Sequence, residues 1–435
     1  MAVVLQNKPR KQSPVAQKTI AHYVSLSEKI NVQAENQVLV AKRQAAQKKL
    51  QSLGLPTRRD EDWQYTSLTP WMQEQYEQKL PGRVSFEQLS DFLPAFETLR
   101  MVFVDGVYAA ELSSDLAALP KGLDVEQTDA TNAALADSEE PFEILHDMLA
   151  ERQVKISVAK GAMIELPIHL VYLQTQAQQL TNLTLQVELA AGSQATVLQQ
   201  AISFDENNSS FVNGFAQFSI GEDAVCQQVM VQDMNRKSFY FANQRIQQAA
   251  RSHFNTLYIG LGGLISRHQN RLTLCGEHAE ASQNSIVLGA GKQVMDSRTQ
   301  TDHNVPNGSS QQLHKFVLND QARGVFNGMI YVAKGAQKTD GQMDNKNLLL
   351  SNEAKMDTKP QLEIYADDVK CSHGCASGQI DEDQIFYCQA RGIRRPDAVQ
   401  LITQAFLLEP LETVGNFAIR EWLKSLVNRR LIAVR

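Results

Sequence analysis

A small polar turn followed by an apolar β-run recurs through the middle of the chain, and this repeat constrains the fold more than any other feature. In each copy an alanine closes the turn, as in the segment GEDAVCQQVMV. The alanines that anchor the copies are Ala195, Ala224, Ala250, Ala279, Ala322 and Ala354. Their separations are 29, 26, 29, 43 and 32 residues, and we interpret the longest step as containing a polar insert, TDHNVPNGSS. Repeats of about 20–50 residues are typical of solenoids, in which each unit packs only on its neighbours.

The repeated units contain strands and turns but no helices, and this selects among solenoids. No convincing long amphipathic helix interrupts the β-runs between about Lys155 and Asp381, so alternating β/α folds are disfavoured. A chain of 435 residues exceeds the ~250–300 residues at which single compact cores stop growing. A parallel β-helix avoids that limit because each coil lengthens the core without thickening it. The sequence therefore predicts a mostly β protein with a parallel β-helix core, and a β-sandwich or barrel with evenly spaced turns remains the alternative.

Helical patterns flank the β-runs on both sides. Residues 34–53 are rich in helix formers, and Gly54 and Pro56 form a stop signal behind them. Near the other end, Pro396 begins an amphipathic helix, and a second one follows it. Two short helices cannot bury both of their apolar faces alone, so they must dock on the solenoid's end, on a partner, or on both. We predict an N-terminal helical region of residues 1–98, a β-helix core of residues 99–380 and a C-terminal helical segment of residues 381–435.

Charge and composition exclude several classes of protein. A net charge of −6 and a pI near 5.9 give no broad electrostatic attraction to nucleic acid or to an anionic membrane. The opening MAVVLQNKPRKQ has an apolar run of four residues, too short for a signal peptide, and no stretch approaches the ~18 apolar residues of a membrane-spanning helix. The cysteines are five, an odd number spread over a long chain, which favours reduced thiols over a disulfide framework. These observations predict a cytoplasmic protein.

The sequence contains no motif of an autonomous enzyme. The pair Gly291–Lys292 is followed by Gln293 and lacks the upstream glycine of a P-loop. The GLGG at Gly260 is not a dinucleotide fingerprint, because no helical pattern follows it. The motifs H-E-x-x-H, C-x-x-C and G-x-S-x-G are absent as well. We therefore predict a non-catalytic protein. A β-helical carbohydrate-active enzyme or acyltransferase is the distant alternative, and it would need a groove lined with acidic residues that the sequence does not show.

The stretch VKCSHGCASG carries chemically active side chains at every second position, namely Cys371, His373 and Cys375. On an extended chain alternate side chains share a face, so the three can converge unless Gly374 bends the strand. Thiolate and imidazole ligands suit iron, zinc and copper(I), and a site built from one strand would be open until a second chain completed it. The alternative is structural, since cysteine packs as a small buried hydrophobe and a strand histidine often caps a backbone carbonyl.

The remaining thiols and imidazoles receive structural interpretations. Cys226 and Cys275 lie within β-runs and are predicted to be core residues, and Cys388 is predicted to pack within a helix. His303 and His314, about ten residues apart near the polar insert, are predicted to lie in a solvated loop. The turn DEDWQY could bind a metal through its carboxylates, but we interpret it as a capping and solubilising turn.

Three longer motifs resemble a known family. Residues 327–374, NGMIYVAKGAQKTDGQMDNKNLLLSNEAKMDTKPQLEIYADDVKCSHG, closely resemble the signature of the SufB/SufD family of iron–sulfur cluster assembly proteins. Residues 58–68, RRDEDWQYTSL, are similar to the N-terminal element of that family, and residues 381–393, DEDQIFYCQARGI, are similar to its C-terminal element. The resemblance implies a right-handed parallel β-helix between N-terminal and C-terminal helical segments, which agrees with the layout argued from the repeat.

Within the family, the chain resembles the SufD branch rather than the SufB branch. SufB proteins have Glu-His-Glu where this sequence has Ser-His-Gly at residues 372–374, and they carry a cluster-building cysteine about where Asn345 stands. SufD proteins share the Cys-Ser-His-Gly of residues 371–374. The small residue that usually follows is Cys375 here, which either adds a ligand or fills the same space. A SufB-like scaffold that assembles the cluster alone is the nearer alternative, and Asn345 argues against it.

The resemblance also implies partners and a role. It implies a complex of SufB, SufC and SufD, in which SufC is an ABC-type ATPase bound by the C-terminal helical segments and the two solenoids pair through their C-terminal coils. The nascent cluster would form at that boundary, where the resemblance implies that His373 and Cys371 bind iron or a transient cluster, with no permanent cofactor. Cys375 is a further candidate metal ligand. The chain is then a scaffold subunit, and when SufB is absent we expect a homodimer through the uncapped last coils.

Overall fold

The computed structural model describes residues 10–131 and 138–433, and strands dominate its centre. The strands are β1 Leu99–Val104, β2 Val107–Tyr108, β3 Leu123–Asp129, β4 Arg152–Val158, β5 Ile168–Gln174, β6 Gln179–Leu189, β7 Gln194–Ser203, β8 Ser210–Ile220, β9 Val225–Asp233, β10 Phe239–Gln248, β11 His253–Gly260, β12 Ile265–Leu274, β13 Glu280–Gly289, β14 Val294–His303, β15 Ser309–Leu318, β16 Arg323–Val332, β17 Asp340–Leu349, β18 Lys355–Ile364 and β19 Lys370–Gly378. The α-helices are α1 Pro14–Gln33, α2 Gln37–Leu53, α3 Thr69–Met72, α4 Phe86–Ser90, α5 Pro141–Leu149, α6 Glu382–Gln389, α7 Arg395–Leu408 and α8 Phe417–Ala433. Across these described ranges, no helix is long and apolar enough to cross a membrane.

The strands form two sheets that enclose a common interior. Sheet 1 has ten strands in the order β19-β17-β15-β13-β11-β9-β7-β5-β1-β2, and sheet 2 has nine in the order β18-β16-β14-β12-β10-β8-β6-β4-β3. From β6 onward the chain alternates between the sheets, and each strand pairs in parallel with the strand two places before it. One coil is therefore one strand of each sheet with two turns. This topology confirms the predicted parallel solenoid and shows that the alternative, a sandwich or barrel, is wrong.

The repeat has the period of one coil, but the long step has a different cause from the predicted one. Ala279 precedes β13 in sheet 1, whereas Ala322 precedes β16 in sheet 2, so the step of 43 residues spans three strands, or one and a half coils. TDHNVPNGSS is not an insert, because its first three residues end β14 and its last two begin β15. The prediction was wrong because turns that enter both sheets use the same small residues.

The interior of the solenoid contains polar side chains among the apolar ones. His303 of β14 and His314 of β15 are both buried there, so the predicted solvated loop was wrong. His303 Nε2 lies 2.9 Å from Ser310 Oγ, and His314 Nδ1 lies 2.8 Å from Ser285 Oγ. Strand alternation places both imidazoles on the inward face, where each ring has a hydroxyl group within hydrogen-bonding distance.

The N-terminal region and helix α5 pack on the outer face of sheet 2 through aromatic side chains. The rings of Phe142 and Phe241 stack with centroids 4.1 Å apart, and Trp63 and Trp71 both pack against Phe142. The guanidinium of Arg267 lies over Trp63, 3.8 Å from the ring centroid. The turn DEDWQY therefore contributes a buried anchor to this interface and is more than the capping and solubilising turn that we predicted.

The C-terminal helices cover the outer face of sheet 1 and not the end of the solenoid. Their buried leucine, isoleucine and valine side chains pack on outward-facing apolar residues of the sheet, including Val229, Leu257, Ile286, Leu288 and Val317. The buried ammonium of Lys315 pairs with Glu409 and donates to the carbonyl of Phe406 at 2.7 Å. Helix α6 packs on α7 and leaves most of its own side chains exposed.

Candidate metal site at the open end of the solenoid

The last coil consists of β18 and β19, which are the final strands of sheets 2 and 1 in the described chain. Strand β19 pairs with β17 in unbroken register, from Lys370 opposite Asp340 to Gly378 opposite Leu348. The strand therefore stays regular past Gly374. The condition that we set for Cys375 is met: it shares the face of Cys371 and His373.

These three side chains continue the inward column of the solenoid. His373 stands beside Met343 of β17 in the sheet, and Cys375 stands beside Asn345, and both β17 side chains are buried. Cys371 is half-buried against the core, whereas His373 and Cys375 are exposed. The position that is core in β17 is therefore accessible in β19, because no further coil within residues 10–131 and 138–433 lies over it.

The two thiols of the site have different surroundings. Burial raises the pKa of the Cys371 thiol, the backbone N–H of Gly341 lowers it and the carboxylate of Asp340 raises it again. With the pKa raised overall, this thiol is protonated at neutral pH, and a metal must displace its proton to bind. The Sγ of Cys375 lies 3.4 Å from the hydroxyl oxygen of Thr358 on β18. The Cys375 thiol therefore lies between β19 of sheet 1 and β18 of sheet 2, at the open end of the solenoid.

The arrangement is not a closed metal site. Among residues 10–131 and 138–433, no three or more His, Cys, Asp and Glu side chains lie close enough together to hold a metal ion. Cys371, His373 and Cys375 share a face at two-residue intervals, which spreads them along the strand. Sequence reasoning correctly placed them on one face of a strand, and their role as ligands stays a prediction.

The rim of this open end is apolar. Met356 and Leu362 of β18 are half-buried, and they lie in register with Gly324 and Ile330 of the preceding coil. Tyr365, just beyond the strand, is 61% exposed. Strands β18 and β19 also present the backbone edges that face away from the rest of each sheet. Such edges and rungs are the features that a further coil or a partner covers.

A second exposed apolar surface lies on the C-terminal helices. Phe386 and Tyr387 of α6 are 70% and 59% exposed, and Leu401 of α7 is half-exposed. The guanidinium of Arg391 lies over the Tyr387 ring, 3.4 Å from its centroid. Cys388 of the same helix is half-buried. Two adjacent exposed aromatic side chains on a short helix are typical of a protein interface.

The other two cysteines, Cys226 and Cys275, were both predicted to be core residues, and this prediction is confirmed for one and wrong for the other. Cys226 of β9 is buried in the core, as predicted. Cys275 is exposed, because β12 ends at Leu274 and the cysteine lies in the turn that follows. The apolar run in the sequence continues one residue beyond the strand, and this is why the prediction for Cys275 failed.

Sequence reasoning missed the polar layer that lies against β19. Asn345 and Asn347 are buried on the inward face of β17, and Asn347 donates hydrogen bonds to residues of β19. The available signal was the spacing of two asparagines at alternate positions in a strand, which places both amides on one face.

Comparison with known proteins identifies the family. A model described as the SUF system FeS cluster assembly, SufBD core domain matches residues 172–406, and one described as the SufBD protein N-terminal region matches residues 14–170. The chain belongs to the SufBD family. Together the two matches span the N-terminal helices, the solenoid and most of α7.

Individual SufBD relatives extend over nearly the whole chain. The iron-sulfur cluster assembly protein SufD of Escherichia coli (strain K12) is 36% identical over 395 residues, which cover 89% of this chain and 92% of that protein. An iron-sulfur cluster assembly SufBD family protein of Synechocystis is 30% identical over 423 residues, or 92% of each chain. SufD of Bacillus subtilis is 26% identical over 336 residues, covering 76% of this chain and 74% of that protein. Over most of its length, the chain is thus similar to SufD-type assembly proteins.

Proposed function

We propose that this SufBD-family chain is a non-catalytic, SufD-type scaffold subunit for iron–sulfur cluster assembly. It pairs with a SufB-like paralogue through its last coil and binds a SufC-like ATPase through its C-terminal helices. His373, with Cys371 and Cys375, binds iron or a transient cluster at the boundary between the two solenoids. The observation that carries the proposal is the position of β19, whose inward side chains face whatever covers the open end of the solenoid.

A second solenoid is the partner that fits the open end. The free edges of β18 and β19 offer backbone hydrogen-bonding groups, and the half-buried Met356 and Leu362 offer an apolar rung. Side chains of a partner coil would then approach Cys371, His373 and Cys375 from the open side. Three ligands on one strand leave coordination positions free, and groups from the partner can fill them.

The exposed aromatic side chains of α6 are the proposed dock for the ATPase. Removal of everything after about Asp381 is the most direct test of this assignment. The packing argues against that experiment, because the removed helices cover an apolar face of sheet 1 that includes Leu257, Ile286 and Val317. Surface substitutions on α6 avoid this problem.

The test of the dock is a double substitution, Phe386→Ala with Tyr387→Ala, in the full chain. Co-purification with a SufC-like ATPase should be lost, while co-purification with the SufB-like paralogue should persist. Phe86→Ala is the matched control, because Phe86 is a half-exposed phenylalanine on α4. Undiminished ATPase capture by the double variant would remove the dock from the proposal.

The test of the metal site is His373→Ala in the complex obtained by co-expression with both partners. The complex should elute normally in size-exclusion chromatography, and its iron and sulfide content should fall sharply. Ser372→Ala is the matched control, since Ser372 is exposed on the opposite face of the same strand. A normal cluster yield, or a complex that falls apart, would show that the histidine is structural.

The scaffold role also concerns ATP. The sequence lacks a phosphate-binding loop, so we expect no ATP hydrolysis from the purified chain and hydrolysis only with the SufC-like partner. Turnover by the chain alone, after removal of contaminating ATPases, would contradict this role. We also propose a cytoplasmic location, in keeping with the five cysteines, all within the described residues and all free.

A further inference from the structure

Two buried carboxamides, those of Asn345 and Asn347, lie against the strand that carries the candidate site. Their side chains hydrogen-bond to each other: Asn345 Nδ2 donates to Asn347 Oδ1 at 3.0 Å, and Asn347 Nδ2 donates to Asn345 Oδ1 at 2.7 Å. In the register of β17 and β19, Asn345 stands opposite Cys375 and Asn347 stands opposite Ser377. The amide pair therefore lies at the level of the C-terminal half of β19.

The pair connects three successive strands of sheet 1. On β19, Asn347 Nδ2 donates to the carbonyl of Ala376 at 3.2 Å and to Ser377 Oγ at 3.0 Å. On β15, the carbonyl of His314 accepts from Asn345 Nδ2 at 3.2 Å. The Sγ of Cys375 approaches Asn345 Oδ1 at 3.9 Å. The two bonds to β19 are partly buried: the donor, Asn347, is buried, and the acceptors lie on exposed residues. Burial of the donor limits competition from water, so these bonds help to fix the strand.

The two halves of β19 are held in different ways. Cys371, in the first half, packs against apolar side chains of the core. Residues 375–378 are all exposed, and the far edge of the strand has no paired strand in the described chain. Beyond the ladder to β17, the amide pair and Thr358 form side-chain hydrogen bonds with this second half from the interior.

We propose that Asn345 and Asn347 are positioning residues that hold the second half of β19, and with it the thiol of Cys375, over the open end of the solenoid. The use of that thiol at a shared metal site rests on the function proposed above. The positioning itself is a property of the free chain. It requires neither a partner nor a metal.

The test is Asn347→Leu in the purified full chain, which keeps the branched side chain of four heavy atoms and removes the donor. Amide hydrogen exchange of residues 375–378 should become about tenfold faster, while residues 370–373 should change by less than about threefold. Alkylation by iodoacetamide, resolved by peptide, should speed up at Cys375 and stay within about twofold at Cys371. Asn327→Leu is the matched control, since it makes the same substitution on the outward face of β16, and it should change neither readout.

The ratio of the two alkylation rates separates positioning from a general loss of stability. If Asn347→Leu changes Cys375 and Cys371 equally, the proposal is overturned. Should that variant fail to fold, Ser377→Ala gives the second test, because it removes one of the two bonds from an exposed residue. It should raise exchange in residues 375–378 by a smaller factor, and unchanged exchange would overturn the proposal. Failure of the His373→Ala iron assay would remove the metal function and leave these exchange results standing.

Discussion

His314, Asn345 and Cys375 occupy one inward column on three successive strands of sheet 1, and they allow a closed coil to be compared with an open one. His314 is 1% exposed and Asn345 is fully buried, whereas Cys375 is exposed. The backbone register is the same at all three positions. Burial in this solenoid is therefore decided by whether another coil lies on top. A polar residue in a closed coil must find its partners inside, while the same position in the last coil is free to meet another molecule.

Acid should act most strongly on the closed part of the molecule. Burial lowers the pKa of His146, His169, His268 and His314 to about 3 and that of His303 to about 4. Below the ordinary imidazole pKa of ~6.5, a histidine of the unfolded chain binds a proton, whereas a buried histidine of the folded protein stays neutral. The buried histidines therefore lower stability only below pH ~6.5. As the pH falls below that value, each histidine lowers the free energy of unfolding by ~1.4 kcal/mol per pH unit.

Two carboxyl groups have the opposite effect on stability as the pH falls, but the five buried histidines outnumber them. Burial raises the pKa of Glu140 to about 7 and that of Asp147 to about 6, so these groups add stability as the pH falls. Urea unfolding at pH 7, 6 and 5 should still show a net loss of several kcal/mol. His314→Asn should flatten this slope by ~1.4 kcal/mol per pH unit. Equal stability at pH 7 and pH 5 would contradict the assignment of neutral buried imidazoles.

A second prediction compares two apolar residues at the same inward position of sheet 2, one in a closed coil and one in the last coil. Ile330 is fully buried, and its register partner Leu362 in the last coil is half-buried. Ile330→Ala should lower the free energy of unfolding by ~2–5 kcal/mol, because it leaves a cavity in a closed core. Leu362→Ala should cost under ~1 kcal/mol in the isolated chain. Urea titrations of both variants check this, and equal costs would show that the last coil is not open in solution.

A third prediction concerns self-association of the isolated chain. The apolar rung and free edges of the last coil should support a symmetric homodimer when no SufB-like partner is present. Leu362→Arg should weaken this dimer, because it places a charge in the interface. Leu80→Arg serves as the control, since Leu80 is exposed in the N-terminal region. Sedimentation that shows a monomer at all practical concentrations would count against the dimer.

The smallest expected effects come from the two thiols of the last coil. Cys371→Ser and Cys375→Ala should each change the free energy of unfolding by ~1 kcal/mol or less, because neither side chain is fully buried. In the complex, iron content should fall less with Cys371→Ser than with His373→Ala, and least with Cys375→Ala. A loss of iron that is larger for Cys375→Ala than for His373→Ala would reverse the proposed order of ligands.

The sequence by itself determined the features that depend on neighbours along the chain. The repeat indicated the solenoid, because stacked coils need turns at regular intervals. Alternation placed Cys371, His373 and Cys375 on one face, as the register of β19 confirms. Local signals also located helix ends: α2 ends at Leu53, followed by Gly54 with φ 74°. The shared face and the helix end follow from backbone geometry within a few residues.

Only the tertiary structure decided which side chains are inside and what they meet there. The residues next to His303 in β14 are polar on both faces, and those next to His314 in β15 include apolar side chains on both faces. Neither strand shows the alternation that would mark its imidazole as buried. The link from Asn347 to Ser377 joins residues 30 positions apart. Such contacts depend on the register between strands one full coil apart, and that register is fixed by the stacking of the whole solenoid. The openness of the last coil has the same origin, since β19 is exposed because no other strand of the described residues is stacked upon it.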